Sequence, residues 1–129
     1  MAYVHPVSIY YEDTDHSGIV YHANYLRYCE RAREHVLGRE RLVTMYREAG
    51  IGFVVYKAEM TFKEGAVFGD ELEVRTTTRV ESEYRILFQQ DIHRSSDGKL
   101  MVACLIHLVT VGSDNKLVRL PTDVIALAT

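Results

Sequence analysis

Between positions 11 and 25 the chain sets out Tyr11, Asp13, Asp15, His16, Gly18, His22 and Asn24 where a strand-like run passes into a helix-like one. A carboxylate held just before a helix can act as a general base or as a nucleophile. The first N–H groups of the helix have no intrahelical acceptor and carry a partial positive charge of about half a unit. They suit an oxyanion forming on a carbonyl, and losing one such donor typically costs about 100- to 1,000-fold in rate. A carboxylate and an oxyanion site together are the minimum needed to hydrolyse an activated ester. Asp15 is the candidate for the carboxylate, against the alternative that Asp13 or Asp15 only caps a turn through its side chain. His22 can orient a carboxylate or carry a proton near neutral pH, or it can be a surface residue. Tyr11 can donate to a carboxylate or a substrate carbonyl, or simply be a sheet aromatic. His16 reads as a loop residue.

Other chemistries find less support. Asp13-x-Asp15-x-Ser17-Gly18 matches the start of a calcium-binding EF-hand loop, but the twelfth position is Asn24 instead of a bidentate glutamate. The preceding segment also reads as a strand, where an EF-hand needs a helix. Cys29 and Cys104 are the two cysteines of the chain. They have no zinc-ligand spacing and sit in apolar patterns, as small buried hydrophobes do. There is no Gly-x-Ser-x-Gly elbow, phosphate loop or dinucleotide fingerprint. No metal and no tightly bound cofactor is expected.

The elements that position these residues follow from periodicity. Residues 7–11 read as a strand. In residues 25–37 apolar side chains fall at Tyr25, Tyr28, Cys29, Ala32 and Val36, which is helical spacing, with Asn24 as the predicted N-cap and Gly38 as the stop. Residues 41–49 form a weaker helical run ending at Gly50. Strands are expected over 53–62, 71–80, 85–93 and 100–111. In 71–80, Leu72, Val74, Thr76, Thr78 and Val80 share one face. In 85–93, Ile86, Phe88 and Ile92 do so, with Leu87, Gln89 and Asp91 opposite. The almost wholly apolar run 100–111 reads as a central strand buried on both faces. A short helical turn over 122–127 follows Pro121. The order implies an α+β fold, a mostly antiparallel sheet with one long helix on one face. One helix covers only part of such a sheet, so a symmetric dimer, with sheets joined edge to edge, is expected to bury the rest.

Composition agrees. The 129 residues are 47% hydrophobic with a net charge of −3, enough apolar content for a packed core and a single domain over residues 1–129. No basic surplus suggests nucleic acid. No run reaches the roughly 20 apolar residues of a membrane span, and the first six residues lack the pattern of a signal peptide. A cytoplasmic location is expected.

Tyr11-x-x-x-Asp15-x-x-Gly18-x-Val20-Tyr21-His22-x-Asn24-Tyr25 resembles the motif of the 4-hydroxybenzoyl-CoA thioesterase family. The continuation Glu30-Arg31-Ala32-Arg33-Glu34 is most similar to its Tol–Pal-associated, YbgC-type branch. The resemblance covers essentially the whole chain. It implies a hot-dog fold, in which a curved antiparallel sheet wraps one long central helix, and dimers often paired into tetramers. It implies an acyl-CoA substrate, Asp15 as the catalytic carboxylate, and the N–H of His22 as the donor that polarises the thioester carbonyl. The side chains of His22 and Tyr11 are also implicated. Two features depart from some relatives. Asp15-His16-Ser17-Gly18 replaces Asp-Pro-Ala-Gly, and the segment 81–85 is acidic where relatives carry basic residues for the CoA phosphates. Arg79, Arg85 and Arg94 are the candidates to compensate. A second hot-dog lineage uses a helix glutamate. Glu30 and Glu34 are the residues available for that role, and both read more simply as polar-face residues. The alternatives to a CoA thioesterase are a carrier-protein thioesterase, a hot-dog dehydratase, or a non-enzymatic acyl-CoA-binding protein.

Overall fold

A computed structural model describes residues 2–128, so Met1 and Thr129, the ends of the predicted domain, lie outside the described residues. The chain begins with strand β1 (Tyr3–Ser8), then a single 3-10 turn at Tyr11–Asp13, helix α1 (His22–Leu37) and helix α2 (Arg39–Thr44), which runs into a π-helical turn at Met45–Ala49. Strands β2 (Gly52–Phe62), β3 (Glu71–Val80), β4 (Arg85–Arg94) and β5 (Leu100–Val111) follow, and helix α3 (Thr122–Ala126) closes the chain. The five strands form one antiparallel sheet in the order β1-β3-β4-β5-β2.

The core lies where α1 meets one face of this sheet. Tyr25, Tyr28, Cys29, Ala32 and Val36 are buried at the predicted spacing. Against them pack Leu72 and Val74 of β3, Ile86, Phe88 and Ile92 of β4, and Val102, Cys104 and Ile106 of β5. The cross-strand pairs Val74–Ile92 and Phe88–Ile106 keep these side chains on one face, as strand alternation requires. Gly38, at φ +90°, ends α1 and donates its N–H to the Glu34 carbonyl. Both cysteines are free and fully buried, and the neighbouring Cys29 together with burial pushes the Cys104 thiol up.

Three boundaries differ from the expectation. The first strand lies at Tyr3–Ser8, not at 7–11. Tyr3, His5 and Val7 point inward while Val4, Pro6 and Ser8 face solvent, an alternation that His5 and Pro6 disguise in the sequence. Pro6 is tolerated because β1 is an edge strand. Helix α1 starts at His22, three residues early, with Tyr21 and not Asn24 at the N-cap. Asn24 lies inside the first turn, where its amide serves a different partner. Strand β5 is interior, but the middle of the sheet belongs to β4.

One buried polar network spans the helix–sheet contact. Arg33 is 7% exposed and has no carboxylate within ion-pair distance among the described residues. Its Nη1 donates to Gln90 Oε1 at 3.0 Å, and Gln90 Nε2 donates to the Cys29 carbonyl at 3.0 Å and to Thr76 Oγ1 at 3.2 Å. Burial holds the Arg33 guanidinium below its ordinary pKa. A buried charge deprived of its partner is strongly destabilising. Gln90→Leu, close in volume, is expected to lower stability by about 3 kcal/mol in urea denaturation, and a loss under about 1 kcal/mol would show that Arg33 does not depend on this amide.

Candidate active site

The site is built by the loop that carries the chain from β1 to α1. After β1, the buried Ile9 donates its N–H to the Asp70 carbonyl at 3.2 Å, which ties the loop to the start of β3. The 3-10 turn follows, and Thr14 closes it by donating both its N–H and its hydroxyl to the Tyr11 carbonyl. Asp15 then opens a tight turn in which Gly18 N–H reaches the Asp15 carbonyl at 3.0 Å and Asp15 N–H reaches the Ile19 carbonyl at 2.8 Å. Gly18 has φ +82°, and a Cβ there would meet nothing within 4 Å. The glycine therefore serves backbone conformation, not space.

The segment before β3 fastens this turn from the other side. Val20 N–H donates to the Ala66 carbonyl at 2.9 Å, Ile19 bridges to Val67, and Ala66 N–H donates to the Tyr25 hydroxyl at 3.1 Å. A Cβ on Gly65 would lie 3.1 Å from the Ile19 side chain, so the segment passes as close as its backbone allows. Burial raises the Tyr25 phenol above its ordinary pKa. The Ala66 bond pulls it back, and the charges of Asp70 and Asp15 add to the rise. Tyr25 is thus a neutral post within electrostatic reach of Asp15.

Asp13 and Asp15 both make local hydrogen bonds, and the difference lies in what each has left. Asp13 Oδ2 accepts from Tyr10 N–H at 2.8 Å and Oδ1 from Asn24 Nδ2 at 2.9 Å, so both oxygens are engaged. Asp15 Oδ1 accepts from Ser17 N–H at 2.8 Å, and Oδ2 has no hydrogen bond among the described residues. Asp15 is half-buried, and its second oxygen is left uncommitted among the described residues. His22 is exposed at the first position of α1. Its imidazole packs 4.5 Å from the Tyr21 ring and edge-on to Phe62 at 6.5 Å. Tyr11 is 79% exposed with its ring 6.0 Å from Phe68. No direct hydrogen bond joins the side chains of Tyr11, Asp15 and His22 among the described residues. Tyr11 and Asp15 stand on one loop, and that loop meets the start of α1, where His22 lies, through Tyr21 N–H, which donates to the Asp13 carbonyl at 2.8 Å.

Periodicity leaves an aromatic rim out of account. Phe62, at the end of β2, lies 5.8 Å from the Tyr25 ring, and Phe62 and Phe68 are both more than half exposed or at the half-way mark. The sequence signal for it is weak: two aromatics, Phe62 and Phe68, on either side of Gly65. Beyond the rim, grooves of about 170 and 290 Å³ follow α1, lined by Leu26, Arg27, Glu30, Arg33 and Val55, then by Leu37, Phe53 and Leu108.

The three candidate arginines lie apart. Arg79 is exposed near the end of β3, with no ion pair among the described residues. Arg85, at the start of β4, is 3.4 Å from Glu81 and stacks 4.6 Å over the Tyr56 ring. Arg94, at the other end of β4, is forked on Asp97 at 2.7 and 3.1 Å and meets Glu64 at 3.1 Å and Asp70 at 3.9 Å. Those Arg94 bonds hold the Asp97 carboxyl down at about 2. Glu34 pairs with Arg39 at 2.8 Å, and Glu30 lines the grooves. Among the described residues no three His, Cys, Asp or Glu side chains are grouped to hold a metal ion.

The acyl-CoA thioesterase YbgC of Helicobacter pylori is 41% identical over 83 residues, 64% of this chain and 61% of that protein, so the chain spans somewhat under two thirds of that relative. The acyl-CoA thioesterase YbgC of Haemophilus influenzae is 37% identical over 106 residues, 78% of each chain. Among solved structures, a 1,4-dihydroxy-2-naphthoyl-CoA thioesterase from Synechocystis superposes with a TM-score of 0.91 over 99% of this chain and 96% of that one, at 24% identity. A 4-hydroxybenzoyl-CoA thioesterase mutant in complex with 4-hydroxybenzoyl-CoA gives 0.90 over 99% of both, at 20% identity. These two likenesses concern the fold. Residues 10–127, from the threshold of the 3-10 turn through the last helix, match the family model of the Thioesterase-like superfamily. The chain belongs to that superfamily and has its hot-dog fold.

Proposed function

We propose that this protein, one catalytic domain over residues 1–129, hydrolyses short-chain or aromatic acyl-CoA thioesters to the free acid and CoA. The observation that carries the reading is Asp15: a half-buried carboxylate with one oxygen fixed and the other free, on a loop bonded to the first turn of α1. The likeness to YbgC acyl-CoA thioesterases supports the substrate class. The thioester carbonyl accepts a hydrogen bond from His22 N–H at the positive end of the helix. Asp15 either takes a proton from the water that adds to the carbonyl carbon, or attacks that carbon itself to give an anhydride that water then opens. In both routes the C–S bond breaks and the CoA sulfur leaves as thiolate. The side chains of His22 and Tyr11 flank the carbonyl. No metal or cofactor enters this chemistry.

The acyl group lies along α1, in the grooves beyond the aromatic rim. Of the arginines proposed for the CoA phosphates, Arg79 is the one that no carboxylate neutralises among the described residues, whereas a phosphate at Arg94 has to compete with three acids. The working unit is a dimer joined at the β2 edge, paired further into a tetramer. Val54, Val55 and Tyr56 are exposed on that edge. Arg33, buried without an acid, shares its groove with the exposed Glu30, a pair that a two-fold axis can satisfy reciprocally. No helix among the described residues is long and apolar enough to cross a membrane, and the enzyme is proposed to act in the cytoplasm.

Three measurements bear on this reading. Asp15→Asn is expected to lower kcat by about 100- to 10,000-fold in a free-thiol assay on short-chain and aryl-CoA esters, with an unchanged circular dichroism spectrum. Near-normal turnover would remove Asp15 from the mechanism. Val55→Lys is expected to shift sedimentation from the oligomer to the monomer, and an unaltered oligomer would rule out the β2 edge. Arg94→Gln is expected to lower the melting temperature while KM for the CoA ester stays within about twofold, since its partners are the protein's own carboxylates. A large rise in KM with stability intact would instead make Arg94 a phosphate ligand.

A further inference from the structure

The spacing between a base and an oxyanion donor on separate elements has to be set by something rigid, because a misplacement of about 1 Å can cost roughly 100-fold in rate. Asp15 makes no hydrogen bond to α1 among the described residues, since its bonds stay within its own turn, to Ser17 N–H, Ile19 and Gly18. The loop is joined to the helix start through Asp13. All three of its oxygens accept: Oδ2 takes Tyr10 N–H, the carbonyl takes Tyr21 N–H, and Oδ1 takes the Asn24 amide from the first turn of the helix. Asn24 is 8% exposed and is held from behind by Arg27 Nη1, 3.5 Å from its Oδ1. The Tyr28 hydroxyl lies buried in the same place without a well-formed hydrogen bond, and its pKa is raised by burial and by the Asp13 charge. Asp13 sits between Tyr11 and Asp15 in the chain, so its three bonds fix both relative to His22.

We propose that Asp13 and Asn24 form a positioning clamp that sets the Asp15 carboxylate against the His22 N–H, so that the turnover number, and not substrate affinity, depends on a hydrogen bond that touches no substrate. The proposal rests on the reading of Asp15 and His22 given above. The geometry dictates a reciprocal test. In Asp13→Asn the new amide gives its oxygen to Tyr10 N–H and points its NH₂ at the Asn24 amide, which can accept it only by turning round and giving up Arg27, so one bond is lost. In the double swap Asp13→Asn with Asn24→Asp, the oxygen at 13 takes Tyr10 N–H, the amide at 13 donates to the carboxylate at 24, and that carboxylate still accepts from Arg27. The clamp is rebuilt with donor and acceptor exchanged, and an acid in the first helical turn suits the dipole.

The experiment measures kcat, KM and thermal unfolding for Asp13→Asn, Asn24→Ala, the double swap and Asp15→Asn on one acyl-CoA ester. Each clamp single variant is expected to lose about 10- to 100-fold in kcat with KM within about threefold, and the swap to recover most of the loss. Asn24→Ala keeps the Tyr10 bond and carries the test if Asp13→Asn does not fold. Wild-type kcat in folded Asn24→Ala overturns the clamp, as does a swap that restores thermal stability without restoring kcat, which would mark a purely structural bond. The outcomes separate the two levels of the argument. An active Asp15→Asn removes the catalytic reading itself, whereas an inactive Asp15→Asn beside fully active clamp variants removes only the positioning role.

Discussion

The burial of one face of α1 against β3, β4 and β5 is the constraint on which the remaining structure depends. Tyr28, Cys29 and Ala32 on the helix and Phe88, Ile92 and Ile106 on the sheet are almost wholly removed from water, and each large side chain so buried stabilises the fold by about 1.5–3 kcal/mol. This packing holds the helix along its axis, and so determines where its N-terminus emerges. That terminus comes out at the end of the sheet where the loop after β1 and the segment 65–67 meet, so the positive end of the helix and the Asp15 turn share one rim. The apolar contact also carries a polar group across it, since the helix seats Arg33 above Gln90. Such a network holds the helix in register, because sliding it would strand a buried charge.

At the rim, two carboxylates two positions apart have different fates for reasons of local geometry. The 3-10 turn directs Asp13 back toward Tyr10 and across to Asn24, and both of its oxygens are engaged. The following turn, made possible by the left-handed Gly18, holds Asp15 by one oxygen and leaves the other uncommitted. A carboxylate fully hydrogen-bonded by the protein has no lone pair left to offer a ligand, and one half-bonded is oriented with a free oxygen. Type and proximity do not distinguish them; hydrogen-bond occupancy does.

Charge elsewhere is largely spoken for by the protein itself. Arg94 gathers Asp97, Glu64 and Asp70, with Lys99 also on Glu64, and so fastens the β4–β5 turn to the segment ahead of β3. Arg85 is occupied by Glu81 and the Tyr56 ring. The outer face of the sheet carries Leu87, itself buried, and the partly buried Leu105 beside Thr77 and Gln89. The β2 edge has exposed apolar side chains that α1, on the sheet's inner face, does not cover.

Much of this was legible in the residues. Alternation along 71–80 and 85–93 assigned the correct faces of β3 and β4, helical spacing assigned the buried stripe of α1, and Gly38 marked its end. These features depend on neighbours in the chain, which is why they can be read there. Asn24 reads as an N-cap because it is an ordinary capping residue by type, whereas its actual partner lies eleven positions away. The first strand escapes the sequence pattern because Pro6 argues against a strand unless the strand is known to be an edge. Nothing around Arg33 in the chain indicates that Gln90, 57 positions on, lies beneath it. The sequence by itself determined the elements, their faces and the family motif around Asp15. Only the tertiary structure decided which carboxylate oxygen stayed free, which amide held Asp13, and which arginines were already neutralised, because hydrogen-bond occupancy is settled by residues that meet only when the chain folds.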